Sequence, residues 1–382
     1  MKEVYLDNAA TTPLREEVIE RMHEALKECF GNPSSTHAYG RTARSGIEKA
    51  RKAIARQLNA QAGEIIFTSG GTEADNMLLQ SAVRDLGVET LITSRIEHHA
   101  VLHTAEALRE HYGIRVEYVP LDEFGNPDLA ALEGLLESDA SKKLVSLMHV
   151  NNEIGNLLDL EAVSALCQSH GALFHSDTVQ SIGHFPWDLQ KTPVDFLTAA
   201  AHKFHGPKGV GFAYIRKDSG LKPMILGGSQ ERGVRAGTEA YHNIVGLETA
   251  FEEAYSHLEE ERAYITDLKA YFIRELKRAI PGVAFNGLSG DLERSTYTLV
   301  NLRLPLDTQK AQMLQFHLDL KGIACSKGSA CQSGSAGESH VLAEILSQGE
   351  LSKPSLRFSF SCFNTREELD YVIGELEAFI KS

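Results

Sequence analysis

The sequence is short of positive charge, of cysteine and of long apolar runs, and each shortage excludes something. Its 382 residues carry 38 Lys and Arg against 52 Asp and Glu, a formal net charge of -14. A protein whose main partner is nucleic acid needs a basic surface to meet the phosphates, so that class is set aside. No apolar stretch has the length that spans a bilayer. The opening Met-Lys-Glu-Val-Tyr-Leu-Asp-Asn lacks the apolar core of a secretory signal. The five cysteines (Cys29, Cys167, Cys325, Cys331 and Cys362) are an odd number without dense spacing. That argues against a disulfide framework and for a reducing cytoplasm. Metal-ligand patterns are missing too. His99 and His103 have helical ligand spacing but no Glu between them, and Cys325 and Cys331 are too far apart for a zinc pair. No Gly-Lys-Ser/Thr follows the glycine-rich turn at 68–71, which excludes a Walker-type nucleotide loop.

What is there begins with alternation. Short apolar runs at 64–68, 90–93, 115–119, 144–149, 171–175 and 194–201 read as strands, with helical patterns at 73–83 and around 99–111. This implies an α/β chain with a mostly parallel sheet flanked by helices. From about residue 246 the pattern changes to a long charged helix at 247–280 and strands at 297–302 and 356–360. The chain exceeds the usual limit of one core. We expect a large domain over 14–250, and a smaller α+β domain made of 1–13 and 251–382.

The chemistry gathers at strand ends. Asp177 and Lys203 each close an apolar run, and neighbouring strands would bring a carboxylate and an amine to one rim. Pyridoxal phosphate needs such a pair, a lysine for the Schiff base and an acid to keep its ring nitrogen protonated. A buried ion pair is the plainer alternative. Thr68-Ser-Gly-Gly-Thr-Glu-Ala-Asp-Asn follows a strand and opens a helix, a place where one phosphate can rest on free backbone N–H groups. His98 at a strand rim can stack on a ring and move protons. Asn151 and Asn152 can cap a helix or bind a carboxylate. Arg357, alternating with Leu356 and Phe358, either faces solvent or clamps a substrate carboxylate. Residues 321–340 are rich in Gly, Ser and Ala, which predicts a mobile loop, and Cys331 within it reads as a reactive thiol.

These motifs together resemble the cysteine desulfurases of the class V aminotransferase family. The likeness runs from Tyr5-Leu-Asp-Asn-Ala-Ala-Thr-Thr-Pro through Gly31-Asn-Pro-Ser-Ser, Glu97-His98 and His149-Val-Asn-Asn-Glu-Ile-Gly. It continues through Ala201-His-Lys and Arg235-Ala-Gly-Thr to Gly328-Ser-Ala-Cys-Gln-Ser-Gly. It implies the fold type I of pyridoxal-phosphate enzymes. It also implies that Lys203 carries the cofactor, Asp177 pairs with its ring nitrogen, Gln180 bonds the ring oxygen and His98 stacks on the ring. Gly71, Thr72 and His202 would hold the phosphate, joined by Thr238 reaching across a homodimer. Asn152 and Arg357 would hold the carboxylate of L-cysteine. Cys331 would take the sulfur as a persulfide and pass it to an acceptor protein, an iron–sulfur scaffold or a sulfur carrier. Selenocysteine lyase or aminotransferase chemistry on the same fold is the alternative. Ala200 departs from the pattern, standing where relatives carry a phosphate-binding serine.

Overall fold

A computed structural model describes residues 2–306, 308–327 and 339–382. Cys331 lies outside the described residues. A two-residue strand β1 (Val4–Tyr5) precedes a seven-stranded sheet. That sheet is built from β2 (Ile65–Thr68), β3 (Thr90–Thr93), β4 (Arg115–Tyr118), β5 (Lys143–Ser146), β6 (Leu173–Asp177), β7 (Phe196–Ala200) and β8 (Gly211–Ile215), in the order β2-β8-β7-β6-β5-β3-β4. Only β8 runs antiparallel to its neighbours, so β2 points the same way as β5, β6 and β7. Most of these strands are buried along their whole length, as strands covered by helices on both faces must be. Their carboxyl ends therefore share one rim, where open α/β sheets place their ligands.

Local rules set the helices. The helix expected at 73–83 runs Gly71–Leu86 and stops at Gly87, whose φ of 70° is the left-handed conformation that suits glycine at a helix end. Four helices, Glu16–Glu28, Ala38–Gln57, Leu129–Glu137 and Leu160–Ser169, were not read from the sequence. The helix expected over 247–280 is two helices, Tyr241–Ser256 and Leu258–Ala279.

The chain completes β9 (Ala284–Phe285), β10 (Leu299–Arg303), β11 (Ile323–Ala324) and β12 (Ser355–Ser359). β12, β10 and β9 form an antiparallel sheet, and β1 pairs in parallel with β11. The apolar clusters divide along the chain. Two pack the large sheet from Val18 to Ala254, and another joins Val4 and Leu6 to residues between Ile265 and Leu376. The segment just after β1 crosses between the two sheets: Asp7 bridges to Ser359, while Thr12 N–H donates to the His202 carbonyl at 2.9 Å. No described helix is long and apolar enough to cross a membrane.

Candidate active site

β6 ends on Asp177, and β7 leads directly into the turn Ala201–Lys203. The two strands are parallel neighbours with Asp177 opposite Thr198, so carboxylate and amine do arrive at one rim. Between them and the start of the Gly71–Leu86 helix lies a cavity of about 200 Å³. That is far more than one water needs, and enough for a bound organic group. Gly71, Thr72, His98, Asn152, Asp177, Gln180, Ala200, His202, Lys203 and Arg357 all line it. Thr238 does not. It is exposed, on the segment that Arg235 ties to Glu73 at 2.8 Å.

Each wall has a reason. Lys203 Nζ donates to the carbonyls of Ala9 (2.6 Å) and Ala10 (2.9 Å), and Gln180 Nε2 to that of Ala9 (2.9 Å). The segment after β1 is thus a wall of the cavity, a role its motif did not disclose. Gly71 must be small because a Cβ there would lie 2.7 Å from Val179 Cγ2. His202 Nδ1 lies 3.2 Å from Thr11 Oγ1. Neither asparagine caps the next helix, which Asp159 does: Asn151 Oδ1 accepts the N–H groups of Glu153 (2.9 Å) and Ile154 (3.0 Å) within a turn. Asn152 faces the cavity.

Arg357 is not on a solvated face. It is 1% exposed, with Nη1 donating to the Asn152 carbonyl (2.7 Å) and Nη2 to Asp7 Oδ1 (3.0 Å). Its Nε is buried without a hydrogen-bond partner, which leaves part of the guanidinium fork for a ligand. Ser326 Oγ shares Asp7 Oδ1 at 2.8 Å, and beyond the undescribed residues His340 Nε2 lies 2.9 Å from the Glu97 carbonyl. Both flanks of the Cys331 segment are therefore attached to the walls of this cavity.

The electrostatics come from burial. Desolvation, then the nearby Asp75 charge, raises the Asp177 carboxyl to about 7. Desolvation alone lifts Asp75 to about 7 against a hydrogen bond from Thr198, and Glu97 behind the site rises to about 8. His98 falls to about 4 through desolvation and then the Lys203 charge, and His202 does the same. His98 Nδ1 accepts the Ala100 N–H at 3.1 Å, so the neutral ring carries its proton on Nε2. The thiols of Cys325 and Cys167 are pushed up to about 12 by burial, and that of Cys362 to about 11, which suits packed rather than reactive sulfur.

Asp75 was not singled out in the sequence, although it stands inside the quoted 68–76 motif. It lines the cavity, is 1% exposed, and its Oδ1 has no hydrogen-bond partner. A cavity with two buried acids, one orphaned oxygen and a lysine amine lacks a cationic ring donor. The protonated pyridine nitrogen of pyridoxal phosphate is such a donor, and the residues present fit that group.

The chain is 43% identical over 382 residues to "Cysteine desulfurase IscS" of Dictyoglomus turgidum, covering 100% of this chain and 95% of that protein. It is 41% identical over 373 residues to "Putative cysteine desulfurase IscS 1" of Bacillus subtilis, covering 97% and 96%. Among solved structures, a "NIFS-LIKE PROTEIN" superposes with a TM-score of 0.90 at 35% identity, covering all of both chains. "SspA in complex with cysteine" superposes at 0.77 with 30% identity, covering 94% of this chain and 99% of that one. The aminotransferase class-V model matches residues 4–372, and the chain belongs to that family.

Proposed function

We propose that this protein is a pyridoxal-phosphate-dependent cysteine desulfurase that converts L-cysteine to L-alanine and passes the sulfur to an acceptor protein, for iron–sulfur cluster assembly or thiolation. The observation that carries the reading is Lys203 Nζ and the Asp177 carboxylate entering one cavity from neighbouring strands, with the Arg357 fork opening into it. When bound, pyridoxal phosphate withdraws electrons from the substrate Cα and so weakens the bonds around it. Lys203 would hold the cofactor covalently, with Asp177 at its ring nitrogen, Gln180 at its ring oxygen and His98 against its face. Gly71, Thr72 and His202 would hold the phosphate.

The chain's own residues do the rest. Arg357 and Asn152 hold the substrate carboxylate. Lys203 Nζ, as a free amine, would take the α-proton. The neutral His98 ring, protonated on Nε2, can donate a hydrogen bond to a substrate heteroatom. The Cys331 thiolate attacks the substrate Sγ. A sulfur–sulfur bond forms, the Cβ–Sγ bond breaks, and its electron pair stays with the carbon skeleton, which is protonated to alanine. A sulfur nucleophile is the requirement that separates this reaction from transamination.

Residues 14–250 form the large domain in this reading, with 1–13 and 251–382 as the small one. The division of the apolar clusters supports it, with the boundary moved to about His257 because Phe251 and Ala254 pack with the large sheet. The site would be shared across a cytoplasmic homodimer. Exposed Phe30, Tyr39 and Leu226 support an interface there, and Gln230 Nε2, 3.3 Å from Ser34 Oγ, brings the two segments together.

The test uses the full chain. Borohydride should fix pyridoxal phosphate on the Lys203 peptide alone, and Cys331→Ser should keep the yellow cofactor yet lose persulfide formation and nearly all alanine release. Normal desulfuration by Cys331→Ser would remove the nucleophile from the scheme. Full activity from a sedimenting monomer would remove the shared site.

A further inference from the structure

Asp75 is a second buried acid in the cavity, and nothing in the reaction above employs it. It projects from the Gly71–Leu86 helix toward the carboxyl ends of β6 and β7. Carboxylate oxygens of Asp75 and Asp177 and a ring nitrogen of His98 lie within 4.8 Å of one another. Beneath Asp75, His175 Nε2 sits 3.4 Å from its Oδ1 and 3.3 Å from Thr198 Oγ1, and His175 Nδ1 lies 2.8 Å from Ser146 Oγ. The titratable groups around Asp75 are Asp177 and His175 on β6, Glu97 and His98 before the next helix, and Lys203 after β7. Lys203 is the one amine among them.

Two carboxylates this close and this dry do not both ionise, because each charge raises the cost of the other. Thr198 donates to Asp75, and the Val179 N–H donates to Asp177 Oδ1 at 2.9 Å. Each acid therefore has one neutral donor, too little to hold two bare charges.

We propose that Asp75 is a positioning residue for the acid that faces the cofactor ring: Asp75 and Asp177 hold one proton between them, and with cofactor bound Asp177 is the ionised member while Asp75 keeps the proton. The proton stays within the pair until Asp75 itself ionises, when it passes to solvent. Asp75 then acts as a reserve. When it ionises at higher pH, it adds negative charge beside the ring nitrogen and holds that nitrogen's proton more firmly. The second half of the proposal rests on the cofactor reading above.

Infrared spectra of the full chain carrying carboxyl-labelled [13C]aspartate, with cofactor removed, test the sharing without interference from Glu97. The wild-type chain should show a protonated aspartic acid band at pH 7. In Asp75→Asn and in Asp177→Asn, the surviving acid should ionise at a midpoint lower by about one pH unit or more. Survivors that titrate as in the wild-type chain would overturn the sharing. The second arm reconstitutes the protein with pyridoxal 5′-phosphate and titrates its visible absorption. Asp75→Asn should move that midpoint to lower pH, whereas a merely structural Asp75 would leave it unmoved. If the wild-type chain takes up no pyridoxal phosphate, the cofactor reading and the second half of the proposal fall, and the infrared arm still decides the first half.

Discussion

Ala200 is the residue whose change teaches most about the cofactor's phosphate. It is 2% exposed and lines the cavity, facing the first turn of the Gly71–Leu86 helix: a Cβ on Gly71 would stand 3.8 Å from its own. Thr198, two residues earlier, is no substitute donor, because its hydroxyl is spent on Asp75 and His175 beneath the cavity. One hydroxyl to a phosphate contributes about 1–2 kcal/mol, roughly tenfold in affinity. Ala200→Ser should therefore slow cofactor loss on dialysis by about that factor. Equal retention by the two proteins would mean the helix start already satisfies the phosphate. Arg357 carries a related lesson. Its alternation with Leu356 and Phe358 was legible, but which partner covers its face was not. That face of β12 is covered by Asp7 and Ala9, more than three hundred residues away, with Ala9 N–H bonded to Ser359 Oγ at 2.8 Å.

Among the elements, the short turn at Glu231–Gly233 shows how a segment without an apolar core of its own is held. Glu231 and Arg232 both adopt left-handed φ values, 44° and 57°, which side chains resist. Arg51 clamps the turn with two bonds to Glu231 (2.7 and 2.9 Å), and Phe67 N–H adds a third at 2.8 Å. Both side chains of the pair are 2% exposed. Arg51→Ala would leave a buried carboxylate without its cation, at a cost of about 3–5 kcal/mol. Denaturant unfolding reads this directly, and a loss below about 1 kcal/mol would show that water reaches Glu231. The element pattern explains what was legible. β6 and β7 open on apolar residues and lead into Asp177 and Lys203, so these two could be placed at a rim from spacing alone. Asp75 could not, because its importance depends on β6 passing beneath its helix. β8 was also missed: Gly211–Ile215 is brief, and its antiparallel direction is set by pairing with β2 and β7.

At the scale of the molecule, buried titratable groups pull stability in two directions. His98, His149, His175, His202 and His205 are all driven to about 4, by burial first. They stay neutral in the fold while an unfolded chain charges them below pH 6.5, so their contribution is lost as pH falls from 6.5 through 4. Asp75 and Asp177 at about 7 and Glu97 at about 8 act oppositely. The fold keeps the one proton of the Asp75–Asp177 pair and that of Glu97 after the unfolded chain has released its own, so their contribution is lost as pH rises from about 4 through 7 and 8. Below pH 6.5 the five histidines outweigh these acids. The cofactor-free protein should thus unfold at a progressively lower temperature as pH falls from 6.5 towards 4. A midpoint that stays level or rises over that range would contradict the burial of the five histidines.

The wall formed by residues 7–12 has a consequence for how the molecule is made. Tyr5 pairs with Ala324 and Asp7 bridges to Ser359, so these early residues meet their partners roughly 320 to 350 positions later in synthesis. At about 5–20 residues per second, the ribosome keeps them waiting roughly 15 to 70 s. Throughout that interval the large sheet can form and Lys203 can emerge, but the segment of Ala9 and Ala10 that receives its amine is held from the large-sheet side alone, by Gln180 and His202. The nascent chain therefore carries its reactive amine in an unfinished pocket, and the pocket is completed only as translation reaches β12.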